Sequence, residues 1–270
     1  MASLSEVSTP HPVGDGYRLD VAPEWRHGRG AFGGLVIGAL LRAIEQRTAD
    51  PTRKVRSVTA ELPGAVEPGT ANITVEILRQ GKNVSTVRAA LSQDGEIRSH
   101  AVAILAASRS SAEAVAWNEL PRPEAPAWNR VEPIHFPVHS GPRSEFVDHF
   151  EFRVIEGMAL SGGAGRALGW VRPRDPGAPR DAAYIAAMID AWWPVAFIRF
   201  TRMRLMTTIA FTLNIVADLD GLDPMAPLLY RATAPVCGDG YCLENRELWG
   251  EDGRLVATNQ QTFAIISIAP

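Results

Sequence analysis

The segment GLVIGALLRAIEQRT (34–48) is apolar almost all the way round a helical wheel, and its polar residues gather only toward the end. A helix of that kind must be buried on most sides. Strand-like runs follow it directly: KVRSVTAEL (54–62), ANITVEILR (71–79), NVSTVRAAL (83–91) and IRSHAVAILA (97–106). The breaks between them carry PG, PGT, QGK and QDG, the residues of hairpin turns. Consecutive antiparallel strands that must also hide an apolar helix predict an α+β unit with its sheet wrapped around the helix.

The same order occurs twice. YRLDVAPEW (17–25) is the strand candidate ahead of the first helix. In the second half VDHFEFRVI (147–155) and GRALGWVRP (165–173) precede the apolar segment DAAYIAAMIDAWW (181–193). Then come RLMTTIAFTLNIVA (204–217), PLLYRATAPVC (227–237), GYCLENRELWG (240–250) and RLVATNQQTFAIIS (254–267). Even the closing hairpins correspond, QDGEIRSHAVAIL with EDGRLVATNQQTFAII, which reads as an internal duplication. The expected units are 1–107 and 147–270, joined by a Pro- and Ser-rich linker over 108–146. At 270 residues and 46% hydrophobic, the chain has ample material for two fused units. Trp117, Trp128 and Phe136 in the linker predict that it packs over a surface.

One residue breaks the pattern. In AAMIDAWWPVAF (186–197) the carboxylate of Asp190 stands among apolar neighbours, just ahead of the helix-ending Pro194. That is the negative end of a helix macrodipole, and burial there costs desolvation. Such a charge is either paired, with Arg199, Arg202 or Arg204 as nearby candidates, or it does chemistry. Other classes fall away. A net charge of −3 gives no footprint for nucleic acid or an anionic membrane surface, and two cysteines are too few for a disulfide framework or a zinc site. No charged-then-apolar leader opens the sequence and no apolar run approaches membrane-spanning length, so the expected setting is the cytoplasm. A G-x-S-x-G elbow is missing. Gly28, Gly30 and Gly33 spell G-x-G-x-x-G, but the helix after them feeds antiparallel strands, not a βαβ unit. His27 is either a catalytic base or a histidine bonded to its loop.

GRGAFGGLVIGALLRA (28–43), LRQGKNVSTVRAAL (78–91) and EDGRLVATNQQ (251–261) together resemble the acyl-CoA thioesterase II family of double hotdog proteins. The resemblance covers most of the chain outside the linker. It implies a double hotdog fold, an activated water as nucleophile held by protein side chains, an acyl-CoA or acyl-carrier thioester as substrate, no metal or organic cofactor, and a homo-oligomer. It also implies that Asp190, a threonine of MTTIAF and a glutamine of TNQQTF hold and activate that water, at Asp190, Thr208 and Gln261. Thr207 and Gln260 are the adjacent alternatives, because strand neighbours point to opposite faces. Gly33 and Gly34, at the positive end of the first helix, offer backbone N–H groups to a developing oxyanion. Where the family pattern would have an Asp-His pair after the threonine, this chain has Ala210 and Phe211, which makes the site more apolar. Two rivals follow: the same fold dehydrating, isomerising or cyclising an acyl or polyketide-like substrate, and a non-catalytic acyl-binding protein.

Overall fold

The computed structural model describes residues 2–109, 117–135, 144–175, 177, 181–223 and 225–266. The chain opens with a short helix α1 (Leu4–Val7), then β1 (His11–Val13), β2 (Gly16–Val21) and a small hairpin, β3 (Arg26–His27) and β4 (Gly30–Ala31). Next come helix α2 (Gly33–Thr48) and β5 (Arg53–Glu61), β6 (Gly69–Gln80), β7 (Val84–Gln93) and β8 (Glu96–Ala107). The second half holds β9 (Phe150–Glu156), β10 (Arg166–Pro173), helix α3 (Ala182–Asp190), β11 (Leu205–Ile215), β12 (Leu228–Gly238), β13 (Tyr241–Trp249) and β14 (Leu255–Ile266).

Among the described residues, twelve of these strands form one antiparallel sheet in the order β1-β2-β6-β7-β8-β5-β11-β14-β13-β12-β10-β9. Outward from the central β5–β11 pair, each half repeats one sequence: the strand after its helix, then the fourth, third and second strands, then the strand before the helix. The join is in register over Ala210–Glu61 to Asn214–Ser57, so the sheet is continuous across the two halves.

The sheet encloses α2 and α3, both buried along nearly their whole length, as their apolar circumference requires. They run antiparallel at close range because small residues meet. A Cβ on Gly34 would lie 2.7 Å from Ala187 Cα, and one on Gly38 would lie 3.3 Å from Ala183 Cβ. Helix α3 stops at Asp190 and not at Trp193, because the residue before a proline is disfavoured in the helical region. Pro194 instead starts a 3-10 turn, Val195–Arg199. At the opposite end of the helix pair, Arg42 of α2 bridges to Asp181, the N-cap of α3, at 2.9 Å. The same guanidinium donates to Ser8 Oγ and Thr9 Oγ1 of the N-terminal arm, at 2.8 and 2.9 Å.

Trp128 of the linker packs under the guanidinium groups of Arg153 and Arg172, 4.1 and 4.8 Å from its ring centre. Trp117 does not pack; it is 75% exposed. Phe136 lies outside the described residues. Cys237 and Cys242 face each other across the β12–β13 hairpin and form a disulfide. Among the described residues no helix is long and apolar enough to cross a membrane.

Candidate active site

Antiparallel packing brings the C-terminal end of α3 to the N-terminal end of α2. Asp190, the last residue of α3, therefore sits against Gly33, where a Cβ would come within 2.9 Å of its Oδ2. The N-cap of α2, Phe32, supplies no side-chain cap, so the carboxylate of one helix faces the positive end of the other. The electrostatic misfit on its own helix is offset by the neighbouring one. Arg199, Arg202 and Arg204 are all exposed, and among the described ion pairs none joins them to Asp190. Its cation is Arg246 of β13, with Nη1 3.7 Å from Asp190 Oδ1. Burial pushes the Asp190 carboxyl up to about 6, against the opposing pull of Arg246, the Gln261 amide and the Gly34 N–H.

Gln261 and Thr208 join the same cluster. Gln261, fully buried on β14, donates from Nε2 to Asp190 Oδ1 at 2.9 Å. Its Oε1 accepts from Thr208 Oγ1 at 3.2 Å. A bulge makes that contact possible. Phe211 pairs with Gln261 and Thr208 pairs with Phe263, while the register shifts between Thr208 and Ala210. In a regular strand Thr208 and Phe211 would point to opposite faces; the extra residue, Ile209, brings Thr208 back to the helix side. Asn259 fixes which way the Gln261 amide points: its Oδ1 accepts from Nε2 at 3.1 Å, and its own Nδ2 donates to Thr212 O at 2.9 Å. Thr207 and Gln260 are exposed, and Gln260 bonds to Asn245.

The glycine turn is more committed than its sequence implied. Hydrogen bonding from the Gly34 N–H helps hold the Asp190 carboxylate. The N–H groups of Leu35 and Val36 donate to Phe32 O at 3.1 and 3.2 Å. Among the described hydrogen bonds this leaves the Gly33 N–H as the first-turn donor without a partner. His27 Nδ1 lies 2.7 Å from Ser144 Oγ and its ring sits edge-on to Phe146; none of its described contacts is with Asp190. Phe211 is fully buried beside Gln261. Trp192 stacks on Tyr230 with ring centres 4.8 Å apart and meets Phe152 edge-on, as part of the core.

The profile of the acyl-CoA thioesterase N-terminal domain matches residues 21–110, and that of the C-terminal domain matches residues 118–265, more than half of the chain. The chain belongs to the acyl-CoA thioesterase family. Among solved structures, the thioesterase is similar to a hot dog fold protein of Alicyclobacillus acidocaldarius at 23% identity, covering all of both chains with a TM-score of 0.88. It is similar to the acyl-CoA thioesterase II TesB2 of Mycobacterium marinum at 20% identity, covering 99% of each chain with a TM-score of 0.78. A tesB protein of Mycobacterium avium subs paratuberculosis gives 20% identity, 98% of each chain and a TM-score of 0.73. At such identities these likenesses establish the fold, the expected α+β double hotdog. Among curated proteins none matches the thioesterase.

Arg246, Glu244 and Asn259 are the members of this cluster that sequence reasoning missed. A signal for two of them was present in CLENREL: alternation puts Glu244 and Arg246 on one strand face between Cys242 and Leu248, so two opposite charges stand where apolar residues flank them.

Proposed function

We propose that the thioesterase hydrolyses acyl-CoA, or a related acyl thioester, with a water held by Asp190, Thr208 and Gln261 and deprotonated by Asp190. The observation that carries this reading is the hydrogen-bonded chain Thr208–Gln261–Asp190, ending on a carboxylate that is 11% exposed and is pushed up to about 6. A carboxyl raised to about 6 is mostly ionised at neutral pH, yet is a stronger base than an ordinary aspartate. As the water oxygen bonds to the thioester carbon, its proton passes to Asp190 and the carbonyl becomes an oxyanion. The Gly33 N–H, at the positive end of α2, is the donor we assign to that oxyanion. Collapse breaks the carbon–sulfur bond, and the proton on Asp190 leaves with the thiolate as thiol.

The test is thiol release from short, medium, long and aromatic acyl-CoAs. Turnover of at least one class is expected, and no release from any of them by folded protein would sink the reading. Because the base must be ionised, kcat/KM is expected to rise with pH through about 6 and then level off. An acid limb near 4 would mean that the essential carboxylate is an exposed one. Thr208→Val and Gln261→Leu each break the hydrogen-bonded chain that orients Asp190 and its water, and are expected to lower kcat about tenfold. Unchanged kcat in both would leave the water to be held by other groups.

Buried Phe211, where a polar pair was expected, favours water-excluding chemistry such as dehydration or isomerisation. Against that stands His27, engaged by Ser144 and Phe146.

A further inference from the structure

We propose that Arg246, clamped by Glu244, is a positioning residue that holds the end of α3 and keeps the Asp190 carboxylate ionised without bonding to it. This rests on the reading of Asp190 as the base. Arg246 is 1% exposed, and its Nη1 donates to Ile189 O at 3.1 Å. The same nitrogen stands 3.7 Å from Asp190 Oδ1, close enough for charge to act and too far for a hydrogen bond. One nitrogen thus fixes the helix end and sets the field at the carboxylate.

Glu244 explains that spacing. Its Oε2 accepts from Arg246 Nε and Nη2, at 3.2 and 2.8 Å, so the fork of the guanidinium is turned away from Asp190. Its Oε1 accepts from the Ala196 N–H at 3.0 Å, in the 3-10 turn that follows α3. A direct two-pronged bond between Arg246 and Asp190 would occupy the carboxylate oxygens and weaken them as a base. Glu244 takes that place. The two form a neutral buried pair, and Asp190 carries the remaining negative charge.

Other groups face Asp190 from each packed element. Glu244 and Arg246 lie on β13, and Tyr230 lies on β12, where burial raises its phenol and keeps it protonated. Gln261 faces it from β14 and the Gly34 N–H from α2; the last turn of α3 itself carries no basic residue. Arg246 is therefore the cation that counters burial.

The experiment measures kcat/KM against pH for wild type, Arg246→Lys, the double variant Arg246→Met with Glu244→Gln, and Asp190→Asn. The double variant removes Glu244 together with its partner, so that Glu244 is not stranded as a buried charge and the fold is protected. Its acid limb is expected to move up by about one pH unit, with activity partly recovered at alkaline pH. Arg246→Lys, which keeps the charge, is expected to leave the limb within a few tenths of a unit of wild type. A uniform drop in rate with the limb unmoved in the double variant would overturn the proposal and reduce Arg246 to a structural role. Full activity in Asp190→Asn would overturn the base reading itself, and the proposal with it, and that arm registers the failure independently of Arg246.

Discussion

Asp190→Asn is expected to lower kcat/KM by about two orders of magnitude or more, the size of effect typical of losing a general base. It is also expected to leave the protein as stable as wild type or more so. The folded carboxyl titrates near 6, above its ordinary value of 3.8. The folded state therefore holds the proton more tightly than the unfolded chain does. The stability this adds is fully present below 3.8 and is lost as pH rises through about 6. At neutral pH the ionised group thus costs on the order of 3 kcal/mol, which an amide of the same shape avoids in part. Arg246 is already balanced by Glu244, so removing the Asp190 charge strands no cation. Thiol release together with denaturant unfolding at pH 7 reads both effects. If the variant unfolds more easily, Asp190 serves mainly as a cap for α2; if it turns over normally, the base lies elsewhere.

Two adjacent glycines are expected to fail in opposite ways. A Cβ at Gly34 meets Ala187 Cα at 2.7 Å and the Phe32 ring at 2.6 Å. The α3 backbone cannot yield without spreading the helix pair, so Gly34→Ala is expected to cost about 1–3 kcal/mol of stability. That corresponds to a fall in Tm of several degrees. A Cβ at Gly33 meets the tip of a side chain instead, Asp190 Oδ2 at 2.9 Å. The carboxylate can swing aside, so Gly33→Ala is expected to melt near wild type. Its rate is expected to fall on the order of a hundredfold, the cost of displacing a catalytic group by about 1 Å. Thermal melts and initial rates on the two variants separate them. Equal melting with equal rates would mean that the helices meet more loosely than the described contacts require.

The elements were legible because their signals are local. The helix at 34–48 and the strand runs coincide with the observed elements to within a few residues, since periodicity and turn residues set both. The short α1 was missed although Ser3 and Glu6 form a capping box that its sequence carries. Asp190 stood out as an anomaly, yet its surroundings did not. Its dipole partner is the start of a distant helix, and its cation comes from a strand whose alternation sets Glu244 and Arg246 on one face without saying what that face meets. The Thr208 contact depends on the bulge at Ile209, which nothing in MTTIAF announces, because a bulge is a mismatch between two strands and not a property of either one.

The continuous sheet joins two copies of one strand order in a single chain. In a pair of identical separate chains, every substitution would be written at both ends of the helix pair at once. Fusion removes that constraint. Here one end holds Asp190 against a bare glycine turn, while the other is tied shut by Arg42, Asp181 and the hydroxyls of the N-terminal arm. Covalent linkage leaves the two poles of the helix pair free to differ, with a carboxylate at a glycine turn at one and a clasp at the other.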